Sequence, residues 1–355
     1  MKRALELAEK GRGRTSPNPL VGAVVVRKGK FVSQGYHASF GGPHAEAVAL
    51  RRAGARAKGA ALYVTLEPCA TWGKTAPCVD AVIQSGVAKV VIGSRDPNPR
   101  NHKIGIQKLR QAGIRVKVGV LRRDVETQNR DFFKRMTTGF PFVVLKMAQS
   151  LDGKIATRKG ESRWISSPES RRLVHRLRAQ ADAVLVGKNT ALQDNPRLQA
   201  VKKGEKPWRV VLDPQKEIGP KARLFEGPQL TFIAVSEKKL PQVARKPQNG
   251  SRILLPVPER KGELELKPLL RRLASLGVNQ LLVEGGGEVA WSFLREGLVD
   301  ELIWIVAAKI IGGREAKTSV EGEGIERLSQ AFGIRWERVY PLGSDWVFVA
   351  RRSEN

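Results

Sequence analysis

Cysteine, histidine and acidic residues are scarce in this chain. Only two cysteines and four histidines occur in 355 residues. So few cysteines exclude a disulfide-stapled secreted scaffold and suit a reducing cytoplasm. No stretch approaches the ~20 apolar residues of a spanning helix, so no membrane partner is expected. The opening residues MKRALELAEKGRGR mix acids with bases and lack an apolar signal core, which argues against a secretory peptide. Against 34 Asp+Glu stand 63 Lys+Arg, a formal net charge of +29 with the histidines neutral. A hydrophobic fraction of 41% excludes general disorder. The length suggests two domains.

The charge is spread along the chain. Residues 1–145 carry 26 bases and 9 acids, net +17, and residues 146–355 carry 37 and 25, net +12. A nucleic-acid tail would concentrate the excess in one arm. The basic runs RRAGARAK (51–58), KLRQAGIRVK (108–117) and RRLVHRLR (171–178) instead carry helix- or strand-like apolar spacing. They read as solvated faces of core elements, and no specific nucleic-acid partner is expected.

Residues 1–140 alternate helical and strand patterns. RALELAEKG (3–11) predicts a helix, and LVGAVVVRKG with KFVSQGYH predicts a hairpin turning at Lys28-Gly29. HAEAVALRRAG, CVDAVIQSG and IQKLRQAG predict helices, while ALYVTLEP, AKVVIGSRDP and IRVKVGV predict strands. This alternation predicts a three-layer α/β/α domain. RMTTGFP interrupts it, placing a boundary that divides the chain into 1–140 and 141–355. The second half predicts another α/β domain, with strands PFVVLKMAQS, ADAVLVG, WRVVLDP, LTFIAVS, RILLPV, QLLVEGG, ELIWIVAAKII and WVFVARR. SPESRRLVHRLRAQ and KPLLRRLASLG are its main predicted helices.

The sharpest chemical signal is PHAEA (43–47), followed by EPC (67–69) and PC (77–78). His44, Cys69 and Cys78 offer one imidazole and two thiolates, a set suited to Zn²⁺ with a fourth position for water. Cysteine at a helix start favours the thiolate. Glu46, two residues after His44, would not share a helix face with it. At a helix end both can reach one site, and Glu46 is then the natural base to carry a proton from water to a departing amine. The pattern is the H-x-E … P-C-x-x-C signature of zinc deaminases, with eight residues rather than two between the cysteines.

Together SPNPLVGAVVV (16–26), PHAEA, EPCATWGKTAPC (67–78), RDPNP (95–99) and GFPFVVLKMAQSLDGKIA (139–156) resemble the bacterial bifunctional riboflavin-biosynthesis enzymes over nearly the whole chain. The resemblance implies a cytidine-deaminase-like first domain and a dihydrofolate-reductase-like second domain. The first would deaminate 2,5-diamino-6-ribosylamino-4(3H)-pyrimidinone 5′-phosphate, and the second would reduce the ribosyl chain with NADPH. It implies that Asn18, His37 and Lys74 contact the pyrimidine and its ribose phosphate. In the second domain it implies NADPH contacts from Ala148, Trp164, Thr190, Asp194, Gly286 and Gly287, with Ser162, Arg178, Leu198 and Glu284 lining the substrate site. Arg178 suits a bidentate phosphate clamp. A homo-oligomer is expected. Three positions depart from the family pattern: Thr71 where a histidine is common, Val201 in place of an arginine, and Pro214 in place of a serine. An RNA or nucleotide deaminase with an accessory domain is the alternative, and it has no use for a segment such as KMAQSLDGKIA.

Overall fold

A computed structural model describes residues 1–200, 207–239 and 252–353. Two compact units emerge, Met1–Phe140 and Pro141–Asn355.

The first unit runs α1 (Lys2–Glu9), β1 (Gly22–Arg27), β2 (Lys30–Tyr36), α2 (Ala45–Ala53), β3 (Ala61–Leu66), α3 (Cys78–Gln84), β4 (Lys89–Ser94), α4 (Ile104–Gln111), β5 (Arg115–Val118), α5 (Arg122–Gln128) and α6 (Arg130–Thr138). Its sheet order is β2-β1-β3-β4-β5. The first three strands are antiparallel neighbours, and β3, β4 and β5 are parallel. Lys28 and Gly29 both have positive φ at the hairpin turn, the primed geometry that matches strand twist. Strand alternation sorts the side chains between two faces. Ala23 and Val25 join Ala45, Ala49, Leu62 and Val79 in the main core, whereas Val24 packs with Ala4 and Leu7 of α1. Helices therefore cover both faces, as the three-layer expectation requires. α5 and α6 have no counterpart in the apolar pattern, because each buries a single large apolar side chain, Val125 and Phe132.

The second unit contains β6 (Phe142–Ser150), α7 (Pro168–Gln180), β7 (Ala183–Gly187), α8 (Lys188–Asp194), β8 (Trp208–Leu212), β9 (Thr231–Ser236) and β10 (Arg252–Val257). There follow a two-strand ribbon, β11 (Glu259–Arg260) and β12 (Glu263–Leu264), then α9 (Leu266–Ser275), β13 (Gln280–Val283) and α10 (Gly287–Arg295). β14 (Glu301–Ala307), β15 (Ile334–Leu342) and β16 (Asp345–Arg352) complete it. The main sheet has the order β10-β9-β8-β7-β13-β6-β14-β16-β15. It is parallel except that β16 is antiparallel to β14 and β15. In parallel α/β sheets ligands collect beyond the carboxyl ends of the strands, where connections diverge. The loops after β7, β8 and β13 end there. β15 is a solvent-facing edge strand whose mixed charged and apolar residues give no strand signal.

Gly22 fixes how closely α1 can lie on β1. A Cβ there would sit 1.9 Å from the Ala4 carbonyl oxygen. Gly22→Ala is expected to destabilise the first unit by about 1–3 kcal/mol through overpacking, measured by denaturant unfolding of the full chain.

Candidate active sites

In the first unit three loops converge beside the end of β3. His44 caps the start of α2 with extended backbone, Glu46 lies in the first turn of that helix, and Cys78 is the first residue of α3. Cys69 follows β3, and its loop is tied down from below. Asn101 Oδ1 accepts hydrogen bonds from the Ala70 N–H at 3.3 Å and the Thr71 hydroxyl at 2.8 Å. Glu67 accepts backbone N–H bonds from Asp96, Lys103 and Ile106. This scaffold brings His44 Nδ1 to 3.0 Å from Cys78 Sγ and 3.5 Å from Cys69 Sγ. The three ligand atoms lie within 4.8 Å of one another. Around a tetrahedral zinc, Zn–S and Zn–N bonds set ligand atoms ~3.5 Å apart, so the donor set and its spacing fit the ion.

Electrostatics favour the same role. Hydrogen bonding from Cys78, aided by His44 against the cost of burial, draws Cys69 down to about 4. The backbone N–H of Cys78 donates to Cys69 Sγ at 3.3 Å. Glu46 is buried, and its Oε2 has no hydrogen-bond partner among the described residues. Burial, reinforced by the Cys69 charge, pushes Glu46 up to about 7. A carboxyl that titrates near neutrality is suited to take up and return a proton.

A cavity of about 340 Å³ opens onto this cluster. Asn18, His37, His44, Glu46, Cys69 and Lys74 line it, while Cys78 lies behind the wall. His37 Nδ1 donates to the Pro43 carbonyl at 3.1 Å, leaving Nε2 to accept from Asn18 Nδ2 at 3.2 Å. Burial holds His37 below its ordinary range, consistent with a neutral ring. Lys74 Nζ stands 4.1 Å above the Phe40 ring. Arg100 and the exposed Trp72 also reach this cavity. The RDPNP segment is the sequence signal that points towards Arg100 and Asn101.

Two of the cavities in the second unit share Ile155, Ser162 and Asp194. One, of about 390 Å³, is lined by Thr190 and Asp194 of α8 and by Gly286 and Gly287 at the start of α10. A Cβ on Gly286 would meet Thr190 Oγ1 at 3.7 Å, and one on Gly287 would collide with the Thr318 carbonyl at 2.7 Å. Gly287 is therefore required by the close packing of the Thr318–Glu321 segment against the start of α10. Pro214 also lines this cavity, whereas Val201 lies outside the described residues.

The other cavity, of about 660 Å³, collects Ser162, Arg178, Leu198 and Glu284, and also Ala148 and Trp164. Ser162 Oγ donates to Asp194 Oδ1 at 3.1 Å, linking the two spaces. Glu284, just beyond β13, is buried between two cations. Arg178 reaches it with Nε at 2.7 Å and Nη2 at 3.0 Å, and Lys146 Nζ lies 3.0 Å away. Burial alone would raise the Glu284 pKa, but Arg178 and Lys146 outweigh it and hold the carboxyl at about 2. The Arg178 fork thus faces a carboxylate rather than open space. Lys146 is a site residue absent from the expectations above. Its signal is a single charge inside the apolar strand PFVVLKMA, which can be buried only with a partner. His175, which matches no motif, also lines this cavity, with Nδ1 3.2 Å from the Gln199 carbonyl.

Residues 1–94 match the cytidine and deoxycytidylate deaminase zinc-binding region, and residues 141–348 match the RibD C-terminal domain. The chain is 43% identical to the riboflavin biosynthesis protein RibD of Aquifex aeolicus, over 99% of this chain and 97% of that one. It is 42% identical to the RibD protein of Escherichia coli, over 97% and 96%. Among solved structures, a RibD of Acinetobacter baumannii superposes with a TM-score of 0.90 at 34% identity, covering 99% of this chain and 97% of that one. A deaminase/reductase from Thermotoga maritima, described as acting on diaminohydroxyphosphoribosylaminopyrimidine and 5-amino-6-(5-phosphoribosylamino)uracil, gives 0.87 at 38% identity, covering 99% and 97%.

Glu284→Ala strands Lys146 and Arg178 and is expected to cost about 3 kcal/mol or more. The Glu284 pKa lies below its ordinary value of 4.5, so its stabilising contribution is present above that pH and lost as pH falls towards 2. Glu284→Gln should flatten the stability–pH curve across this window, read by urea unfolding and tryptophan fluorescence.

Proposed function

The chain belongs to the RibD family of riboflavin biosynthesis proteins, and from that membership we propose how its residues divide the work of two reactions. The protein is a bifunctional zinc-dependent deaminase and NADPH-dependent reductase of riboflavin biosynthesis. Its first unit has the cytidine-deaminase-like fold and its second the dihydrofolate-reductase-like fold.

His44, Cys69 and Cys78 hold Zn²⁺, which when bound supplies the Lewis acidity that makes water a nucleophile at neutral pH. Asn18 and His37 orient the aminopyrimidine, and Lys74 meets the ribose phosphate. Glu46 takes a proton from the attacking water and returns it to the departing nitrogen. The exocyclic C–N bond breaks, a C–O bond forms at the same ring carbon, and ammonia leaves. The single observation that carries this reading is the buried, unpartnered Oε2 of Glu46 beside the three ligand atoms.

In the second unit NADPH supplies the hydride. Thr190, Asp194 and the Gly286–Gly287 turn seat the cofactor, with Ala148 and Trp164 at the border between the two cavities. Ser162, Arg178, Leu198 and Glu284 form the substrate wall, and Lys146 joins Arg178 in holding Glu284 ionised. The bond from sugar C1′ to the ring oxygen breaks, the hydride adds to C1′ and the freed oxygen ends with a proton, which converts the ribosylamino to the ribitylamino group. The product is 5-amino-6-ribitylaminouracil 5′-phosphate. The shared wall of Ser162 and Asp194 supports this reading, because hydride transfer requires cofactor and substrate in contact.

The reading includes a cytoplasmic location, a small phosphorylated pyrimidine as substrate, no specific nucleic acid, and assembly with further copies of the chain. No helix among the described residues is long and apolar enough to cross a membrane. The exposed Trp336, Val339 and Trp346 at the edge of the second sheet support self-association.

Incubated with the diaminopyrimidine nucleotide, the protein should release ammonia without NADPH and then oxidise NADPH when it is added. Flat nicotinamide absorbance after deamination sinks the reductase half. Glu46→Gln should keep its zinc and lose ammonia release about a hundredfold or more. Light scattering should give a mass above that of one chain.

A further inference from the structure

Asn18 stands on a stretch of the first unit without regular structure. Between α1 and β1, residues 10–21 form turns and extended chain but neither helix nor strand. Asn18, Pro19 and Val21 nonetheless line the first cavity, and Asn18 Nδ2 meets His37 Nε2 at 3.2 Å. His37 is fixed separately, by its own bond to the Pro43 carbonyl. Within the stretch, a turn bond from the Asn18 N–H to the Thr15 carbonyl at 2.9 Å shapes the chain locally. A misplacement of ~1 Å at an orienting group can cost a reaction about a hundredfold. The stretch therefore needs anchoring from outside.

The anchor comes from α5 and α6. Asn129, at their junction, is buried and holds Leu20 by both backbone groups. Its Oδ1 accepts from the Leu20 N–H at 2.7 Å, and its Nδ2 donates to the Leu20 carbonyl at 3.0 Å. A carboxamide carries acceptor and donor side by side, so it satisfies one residue's N–H and C=O as a neighbouring strand would. On the other flank of Asn18, the Pro17 carbonyl accepts from Arg135 Nη2 of α6 at 3.2 Å. Asn18 is thus bracketed by two ties to one helix pair. Phe132, between Asn129 and Arg135 in the chain, is buried and lines the same cavity.

We propose that Asn129 and Arg135 are positioning residues of the deaminase, holding residues 17–20 so that Asn18 presents its amide to His37 and the pyrimidine. The proposal rests on the reading of Asn18 given above and extends it to two residues that do not touch the substrate. α5 and α6, which bury little apolar surface of their own, gain a function as the clamp of this segment.

The assay follows ammonia release from the diaminopyrimidine nucleotide by the zinc-loaded full chain, with zinc content and urea unfolding measured for each variant. Asn18→Ala, Asn129→Ala and the double variant form a cycle. Asn129→Ala should lower kcat/KM about tenfold or more while zinc is retained. In the Asn18→Ala background it should change kcat/KM by no more than about twofold, because the group it positions is gone. Arg135→Ala should follow the same pattern, and it carries the cycle if Asn129→Ala does not fold. Arg135→Lys should recover part of the loss. Gln128→Ala is the control, since Gln128 ties α5 to the Leu5 carbonyl and to Glu9 of α1. It should lower stability and leave kcat/KM within about twofold of wild type. An undiminished loss from Asn129→Ala in the Asn18→Ala background marks a structural role and overturns the proposal. So does an equal kinetic loss in Gln128→Ala. If Asn18→Ala leaves ammonia release unchanged, the reading of Asn18 itself fails. If it slows the reaction and the Asn129 and Arg135 variants do not, only the positioning role fails.

Discussion

A carboxylate taken out of water must either find cations or hold a proton, and each unit of this protein is built around one such group. Glu46 is buried with an unpartnered oxygen, and its pKa is pushed up to about 7. Glu284 is buried between Arg178 and Lys146 and held at about 2. The first arrangement suits a group that exchanges a proton near neutrality. The second produces a permanent charge that positions its neighbours. One residue type takes two opposite charge states because its surroundings differ.

Those surroundings follow from the layout of the sheets. In the first unit a parallel β3–β4 pair directs its following loops to one end, where the starts of α2 and α3 arrive with His44 and Cys78. In the second, β13 lies between β7 and β6, so the segments carrying Thr190, Glu284 and Gly286 leave neighbouring strands at the same end. Two cavities sharing Ser162 and Asp194 are the consequence.

The charge of +29 has a partial explanation in these sites. Lys74 and Arg100 stand at the first cavity, and Arg171 and Arg223 at the second, where both reactants are anions. A basic surface also speeds capture of such ligands. These few residues account for a small part of the excess.

Much of the architecture is legible in the order of residues. Strands such as ALYVTLEP and ADAVLVG bury continuous apolar runs, and α9 shows its apolar stripe plainly, so pattern alone predicts them. α5, α6, α8 and β15 are not legible, since each buries one large apolar group or fewer and is held by tertiary contacts instead. The candidate zinc ligands are legible because cysteine is scarce and both copies stand in one motif with a histidine and a glutamate. Sequence by itself determined the two α/β units, the metal-binding residue types and the family. Only tertiary structure decided that Lys146 shares Glu284 with Arg178, that Arg171 lies on Trp164, and that Glu46 is buried beside Cys69. Such pairings join residues far apart in the chain, and the burial that sets their charge exists only once the chain has folded.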